Sequence, residues 1–117
     1  MLIGLLLLLI DLGSFTATAI LNPGIPDRDL KKYDTEFLNS MVQKKSLGFC
    51  PKCKIIRNSG MDTQHCMDCD ICVEGYDHHC PWTGKCIGRG NAVYFYTFLS
   101  STFILLFYMM GSAILTL

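Results

Sequence analysis

Two apolar stretches bracket a polar middle. Residues 2–21 are apolar almost without a break: Leu2, Ile3, the run Leu5–Leu9, Ile10, Leu12, Phe15, Ile20 and Leu21, with Asp11 the single charge. From Val93 to Leu117 no residue is charged. Runs of this length predict helices able to cross a bilayer, whose hydrocarbon core takes about 20 residues. A carboxylate at mid-helix costs about 2.5–3.5 kcal/mol, against about 0.3–0.6 kcal/mol returned by each Leu, Ile or Phe. The apolar residues therefore carry Asp11 narrowly. Its preferred reading is a group facing another helix of a bundle, with a place on a substrate path as the alternative. A cleaved signal peptide, with Leu2–Ile10 as core and Ala17-Thr18-Ala19 as cleavage site, fits less well. No basic residue precedes the core, and Asp11 interrupts the segment. Tyr94, Phe95 and Tyr96, near the start of the second run, suit an interfacial aromatic belt.

The middle changes character along its length. Asn22-Pro23-Gly24 removes a backbone donor and adds turn freedom, which ends the first helix. Leu30, Tyr33, Phe37, Leu38, Met41 and Val42 then recur at three- and four-residue spacing, predicting an amphipathic helix from Asp27 to Lys45. Asp27 and Asp29 suit its first turn, and Lys44 and Lys45 its last. Its apolar stripe reads as a face lying on the membrane surface or on the cysteine-rich region. All ten Lys and Arg fall between Arg28 and Arg89, so the positive-inside bias places the middle in the cytosol. A formal net charge of zero gives no reason to expect nucleic acid as a partner. The chain divides accordingly: a transmembrane helix at 1–21, a cytosolic juxtamembrane linker with the amphipathic helix at 22–47, a cysteine-rich domain at 48–92 and a transmembrane helix at 93–117. No internal repeat is apparent beyond the leucine run.

The chemistry is concentrated in one window. All seven cysteines lie between Cys50 and Cys86, and all three histidines, His65, His78 and His79, lie among them. Such density signals disulfides in a secreted chain and zinc in a cytosolic one. Disulfides give no reason for the histidines to be there, whereas zinc ligation does. Zinc takes four ligands, and Cys-x2-Cys on a tight turn supplies two. Cys50/Cys53 and Cys66/Cys69 are two such knuckles, with His65, Cys72, His79 and Cys86 available to complete them. Supply and demand balance for two Cys3His sites, with His78 and Cys80 left over, but spacing leaves the pairing open. The tetrad Asp77-His78-His79-Cys80 also joins a carboxylate, two imidazoles and a thiol. An imidazole beside a thiol can take its proton, and a carboxylate beside that imidazole can fix its tautomer.

From Phe49 to Phe95 the sequence resembles the DHHC family of protein S-acyltransferases (palmitoyltransferases). The likeness is carried by Cys50-x2-Cys53, His65-Cys66-x2-Cys69-x2-Cys72, the Asp77–Cys80 tetrad, Pro81-Trp82, Cys86-Ile87-Gly88 and Asn91-x3-Phe95. The resemblance implies two structural zincs in interleaved sites, one on Cys50, Cys53, His65 and Cys72, the other on Cys66, Cys69, His79 and Cys86. It implies Cys80 as nucleophile, His78 as its base and Asp77 as the group orienting His78. The acyl group would pass from a long-chain acyl-CoA such as palmitoyl-CoA to Cys80, then to cysteines of substrate proteins at the cytosolic face of the lipid bilayer. The implied fold is a membrane protein with two transmembrane helices flanking a cytosolic zinc domain of little regular secondary structure. These would be part of a four-helix transmembrane arrangement in an integral multi-pass protein of endomembranes or plasma membrane. This chain then corresponds to the second and third helices, as a fragment or a reduced member. The competing expectation is a non-catalytic, membrane-anchored zinc module that binds proteins.

Smaller features are read beside that frame. Trp82 reads as interfacial packing, and Asn91 and Phe95 as structural. Lys54, Arg57, Lys85 and Arg89 read as solvated charge, with the phosphates of coenzyme A as an alternative partner. Three positions depart from the family pattern. Asn22 stands where the family's Asp-Pro-Gly begins, and eleven residues make a longer loop than usual between Cys53 and His65. Lys85 replaces the usual Asn before the last zinc cysteine. The loop is expected to be tolerated, since loop length costs little entropy, and Lys85 to alter acyl-acceptor handling near Cys80.

Overall fold

The computed structural model describes residues 2–26, 34–43, 48–57 and 62–115. Helix α1 (Leu2–Ile20) and helix α3 (Ala92–Leu115) flank six short strands: β1 (Phe49–Cys50), β2 (Ile55–Ile56), β3 (Gln64–Cys66), β4 (Ile71–Val73), β5 (His78–Cys80) and β6 (Lys85–Ile87). The two helices have mean hydropathies of 2.0 and 1.9 over their most apolar windows and are long and apolar enough to cross a membrane. At 1.5 Å per residue they are about 28 and 36 Å long, against a hydrocarbon core of about 30 Å. Of the helix expected over 27–45, a short helix α2 (Thr35–Gln43) is present. Asp27, Asp29, Leu30, Tyr33, Lys44 and Lys45 lie outside the described residues, as do the side chains of Leu38, Met41 and Val42. Phe37 is 44% exposed.

α1 and α3 form an antiparallel pair, because contacts run in opposite directions along the two. Gly4 lies beside the Tyr108 ring, and Phe15 lies against Phe98 with ring centroids 5.2 Å apart. Asp11 accepts hydrogen bonds from Ser101 Oγ at 2.8 Å and Thr102 Oγ1 at 2.7 Å. The seam is built from small side chains, with Ser14, Thr18 and Ser101 buried in it. Small residues let helices approach closely where lipid supplies no hydrophobic drive between them. Asp11 therefore faces α3, and two hydroxyls offset part of the cost of its placement.

The strands pair as three separate antiparallel hairpins, β1–β2, β3–β4 and β5–β6. Their apolar interior is small and divided: fully buried Val73 packs with Cys66 and Cys86, and fully buried Ile87 with Cys80 and Phe95. The segment after α1 is pinned to the ends of the second and third hairpins. Asn22 Oδ1 accepts from the amides of Gly24 at 2.9 Å and Ile25 at 2.8 Å, an Asx turn that an aspartate would make equally well. Gly24 O accepts from Glu74 N at 2.8 Å, and Pro23 O from Gly90 N at 3.1 Å. The crossing is tight enough to need glycine: a Cβ on Gly90 would sit 2.2 Å from Asn22 O. Gly90→Ala is therefore expected to destabilise the fold by about 1–3 kcal/mol, the usual cost of overpacking. A lowered melting temperature in detergent, with α-helix content retained, checks this.

Candidate active site and metal clusters

The three hairpins follow one local plan. In the first, Cys50 and Cys53 precede Lys54; in the second, Cys66 and Cys69 precede Asp70; both Lys54 and Asp70 adopt positive φ, at 54° and 53°. In the third, Cys80 takes the position of the first knuckle cysteine, Thr83 that of the second, and Gly84 has φ of 62°. The registers of the last two hairpins also correspond, with His65 opposite Cys72 in one and His79 opposite Cys86 in the other. No internal repeat is visible in the sequence itself. The repeat is hidden because Thr83 replaces a cysteine and the first hairpin has neither a His nor a cysteine at the paired positions.

This plan sorts the ligands. Residues opposite one another in an antiparallel pair present their side chains to the same face. Each cross-strand His–Cys pair thus faces the knuckle of the hairpin before it. Cys50, Cys53, His65 and Cys72 come together in one group and Cys66, Cys69, His79 and Cys86 in another, each with its donor atoms within 4.8 Å of one another. In the first group His65 Nδ1 is 3.5, 3.4 and 3.7 Å from the sulfurs of Cys50, Cys53 and Cys72. In the second, His79 Nδ1 is 3.8, 3.3 and 3.8 Å from those of Cys66, Cys69 and Cys86. Zinc bonds of 2.3 Å to sulfur and 2.0–2.1 Å to nitrogen, at a tetrahedral angle, require N–S separations of about 3.6 Å. Both donor sets fit a four-coordinate metal. The Cys69 and Cys86 sulfurs are 3.4 Å apart, beyond the ~2.05 Å of a disulfide.

Proton affinities within each group are split. Burial acts to raise the Cys66 thiol, but the Cys69 amide, the Cys86 thiol, the Asp68 amide and Tyr76 outweigh it and hold the group at about 7. Cys50 is lowered in the same way, burial being outweighed by the Cys53 amide, the Cys72 thiol and the Lys52 amide. Cys72 and Cys86 are pushed up, first by burial and then by the thiols they face. A metal entering either group displaces protons, so its affinity falls as pH falls.

The first group has an outer support. His65 Nε2 lies 3.2 Å from Asp70 Oδ1, which also accepts from Lys52 Nζ at 3.1 Å. The Lys52 hydrogen bond, ahead of its charge and of His65, holds the Asp70 carboxyl below its usual range. Carboxylates behind a ligating imidazole fix its tautomer, and their loss typically costs 10–100-fold in metal affinity. Asp70→Asn is expected to weaken one of two metal equivalents by about that factor, read by chelator competition, and to leave the other unchanged.

Alternation along β5 separates the remaining tetrad residues. Successive side chains of a strand point to opposite faces, so His79 turns into the second group while His78 and Cys80 turn toward α3. Cys80 is 4% exposed and clusters with Ile87 and Phe95. The His78 ring meets Phe95 edge-on, with centroids 5.0 Å apart. Asp77 Oδ1 is 3.5 Å from His78 Nδ1, and Asp77 Oδ2 accepts a hydrogen bond from the Tyr96 hydroxyl. Sequence reasoning placed Tyr96 only in an aromatic belt. Its partner lies 19 positions earlier, and no local pattern signals the contact.

Two further residues lock the hairpin to the helices. Asn91 is fully buried; its Nδ2 donates to Thr18 O at 3.2 Å and Cys86 O at 3.0 Å, and its Oδ1 accepts from Gly88 N at 2.9 Å. Lys85 lies opposite Cys80 in the β5–β6 register. Its Nζ donates to Ala19 O and Ile20 O at 3.0 Å each, capping the carbonyl end of α1, where a cation also suits the helix dipole. Trp82, two positions after Cys80, is 84% exposed.

Comparison with known proteins agrees with this architecture. Residues 43–117 match the DHHC palmitoyltransferase family. Palmitoyltransferase ZDHHC18-B of Danio rerio is 46% identical over 74 residues, 63% of this chain and 18% of that relative. Palmitoyltransferase ZDHHC9 of Homo sapiens is 45% identical over 71 residues, 61% of this chain and 18% of that relative. Palmitoyltransferase ZDHHC18 of Mus musculus is 49% identical over 59 residues, 50% of this chain and 15% of that relative. The matches span less than a fifth of these relatives' length. With its match running from the amphipathic helix to the end of α3, through both Cys/His groups and the Asp77–Cys80 tetrad, the chain belongs to the DHHC palmitoyltransferase family.

Proposed function

We propose that this chain is the cysteine-rich core and two membrane helices of a protein S-acyltransferase that carries its acyl group on Cys80. The observation that supports it most is the partition of the cysteines. Six fall into two Cys3His groups, and Cys80 alone stands outside them, on the face of β5 that it shares with His78. His78 takes the thiol proton of Cys80, and Asp77, 3.5 Å from His78 Nδ1, orients the ring and stabilises the imidazolium. The Cys80 thiolate attacks the thioester carbonyl of a long-chain acyl-CoA such as palmitoyl-CoA. A new C–S bond forms, and the bond to the coenzyme A sulfur breaks as that thiolate leaves and is protonated. A cysteine thiolate of a substrate protein then attacks the Cys80 thioester and restores Cys80. Zinc, when bound by the two groups, supplies rigidity and no reacting atom.

Placement follows from the same reading. α1 and α3 cross the bilayer, and the hairpins and the basic residues lie on the cytosolic side. The division into 1–21, 22–47, 48–92 and 93–117 is the corresponding domain plan. An open groove of about 550 Å³ between α1 and α3, lined by Leu7, Ile10, Val93, Ser100 and Ile104, is apolar enough for an acyl chain. Incubation of the detergent-solubilised chain with labelled palmitoyl-CoA tests the reading. A hydroxylamine-labile adduct is the expected product. A metal-loaded chain that never labels would instead be a zinc-binding interaction module.

A further inference from the structure

We propose that Tyr96 is a positioning residue that holds the Asp77 carboxylate against His78; this rests on the roles just given to Asp77, His78 and Cys80. Asp77 lies just before β5, and its backbone is fixed by an N–H bond to Ile87 O at 2.9 Å. What remains variable is rotation of its side chain, which is 39% exposed and adjoins water. The Tyr96 hydroxyl donates to Oδ2. With one oxygen engaged, the other is directed at His78 Nδ1. A carboxylate that turned to water instead would leave the imidazole without its orienting partner.

The neighbouring residue of α3 acts on the same pair. Phe95 meets the His78 ring edge-on and joins the Cys80 cluster. Phe95 and Tyr96 also meet each other edge-on, with centroids 5.5 Å apart. One turn of α3 thus fixes the imidazole with one side chain and the carboxylate with the next. An interfacial tyrosine turns its hydroxyl to the headgroup region; here the hydroxyl is aimed at Asp77. The membrane helix therefore sets the geometry of the tetrad directly, through an oxygen that Tyr96→Phe removes with the ring retained.

The test follows alkylation of Cys80 by iodoacetamide in the zinc-loaded full chain in detergent, near neutral pH, with the modified peptide read by mass spectrometry. It asks only for the reactivity of the thiol. Wild type, Tyr96→Phe, Asp77→Asn and the double variant are compared at equal metal content. General-base assistance contributes about 10²–10⁴-fold, and losing its alignment should slow Tyr96→Phe by roughly tenfold. In the Asp77→Asn background the same substitution should add nothing, because interacting residues are non-additive. Equal rates for Tyr96→Phe and wild type overturn the proposal. The same slowing in both backgrounds also overturns it, since the phenol would then act by packing alone. If Asp77→Asn itself alkylates at the wild-type rate, the role given to the Asp77–His78 pair fails, and the proposal with it.

Discussion

Cys80→Ser is expected to abolish acyl transfer while leaving two metal equivalents bound. The substitution exchanges sulfur for oxygen at a buried position packed on Ile87 and Phe95, and it touches neither Cys3His group. The loss of packing is small, because serine keeps the shape and the hairpin is held elsewhere by Asn91 and Lys85. The chemical loss is large. A serine hydroxyl is a far weaker nucleophile than a thiolate near neutral pH, and removing a covalent nucleophile has cost about 10⁶-fold in other enzymes. Labelling with palmitoyl-CoA and zinc analysis of the same sample check both halves. A hydroxylamine-labile acyl adduct persisting in Cys80→Ser would put the acyl group on a cysteine now assigned to a metal group.

Cys86→Ser should do more damage by a different route. Cys86 is fully buried against Cys66 and Val73. Structural zinc contributes about 10–16 kcal/mol in small domains, and that binding energy is folding energy. The hairpin region has only a few fully buried apolar side chains to replace it, and a core this small rarely stands alone. Loss of one metal equivalent should be accompanied by unfolding of β5–β6 and loss of acyl transfer, since Cys80 rides on that hairpin. Chelation of the wild type should reproduce the result. The two variants separate cleanly: Cys80→Ser keeps its metal and its melting transition, and Cys86→Ser loses both. A Cys86→Ser chain that still held two metals and melted normally would remove Cys86 from the ligand set.

How much was legible in the chain beforehand depends on the range of the interaction. The two long helices, α1 (Leu2–Ile20) and α3 (Ala92–Leu115), follow from the two apolar runs. The Cys-x2-Cys knuckles are local turns and could be read from spacing. Their pairing could not, because it depends on which hairpin face each residue presents; it came from the resemblance, and the structure brings the same fours together. Contacts between distant elements left no local trace. Asp11 meets residues 90 and 91 positions away, and Lys85 reaches carbonyls 65 and 66 positions back. Lys85 reads from the sequence as solvated charge; in the structure it caps α1. Thr83 shows the opposite limit. The third hairpin repeats the knuckle plan, but with the second cysteine gone the pattern escapes notice, and that same absence leaves Cys80 without a knuckle partner.

The central claim is that six cysteines hold metal while the seventh carries the acyl group. Native mass spectrometry of the chain after incubation with palmitoyl-CoA tests it most directly, because metal and acyl group are read on one molecule. The predicted species holds two zinc ions and one acyl group together, and hydroxylamine removes the acyl group without releasing zinc. Acylation confined to chains that have lost a zinc would contradict the account, because the acylated sulfur would then be a ligand.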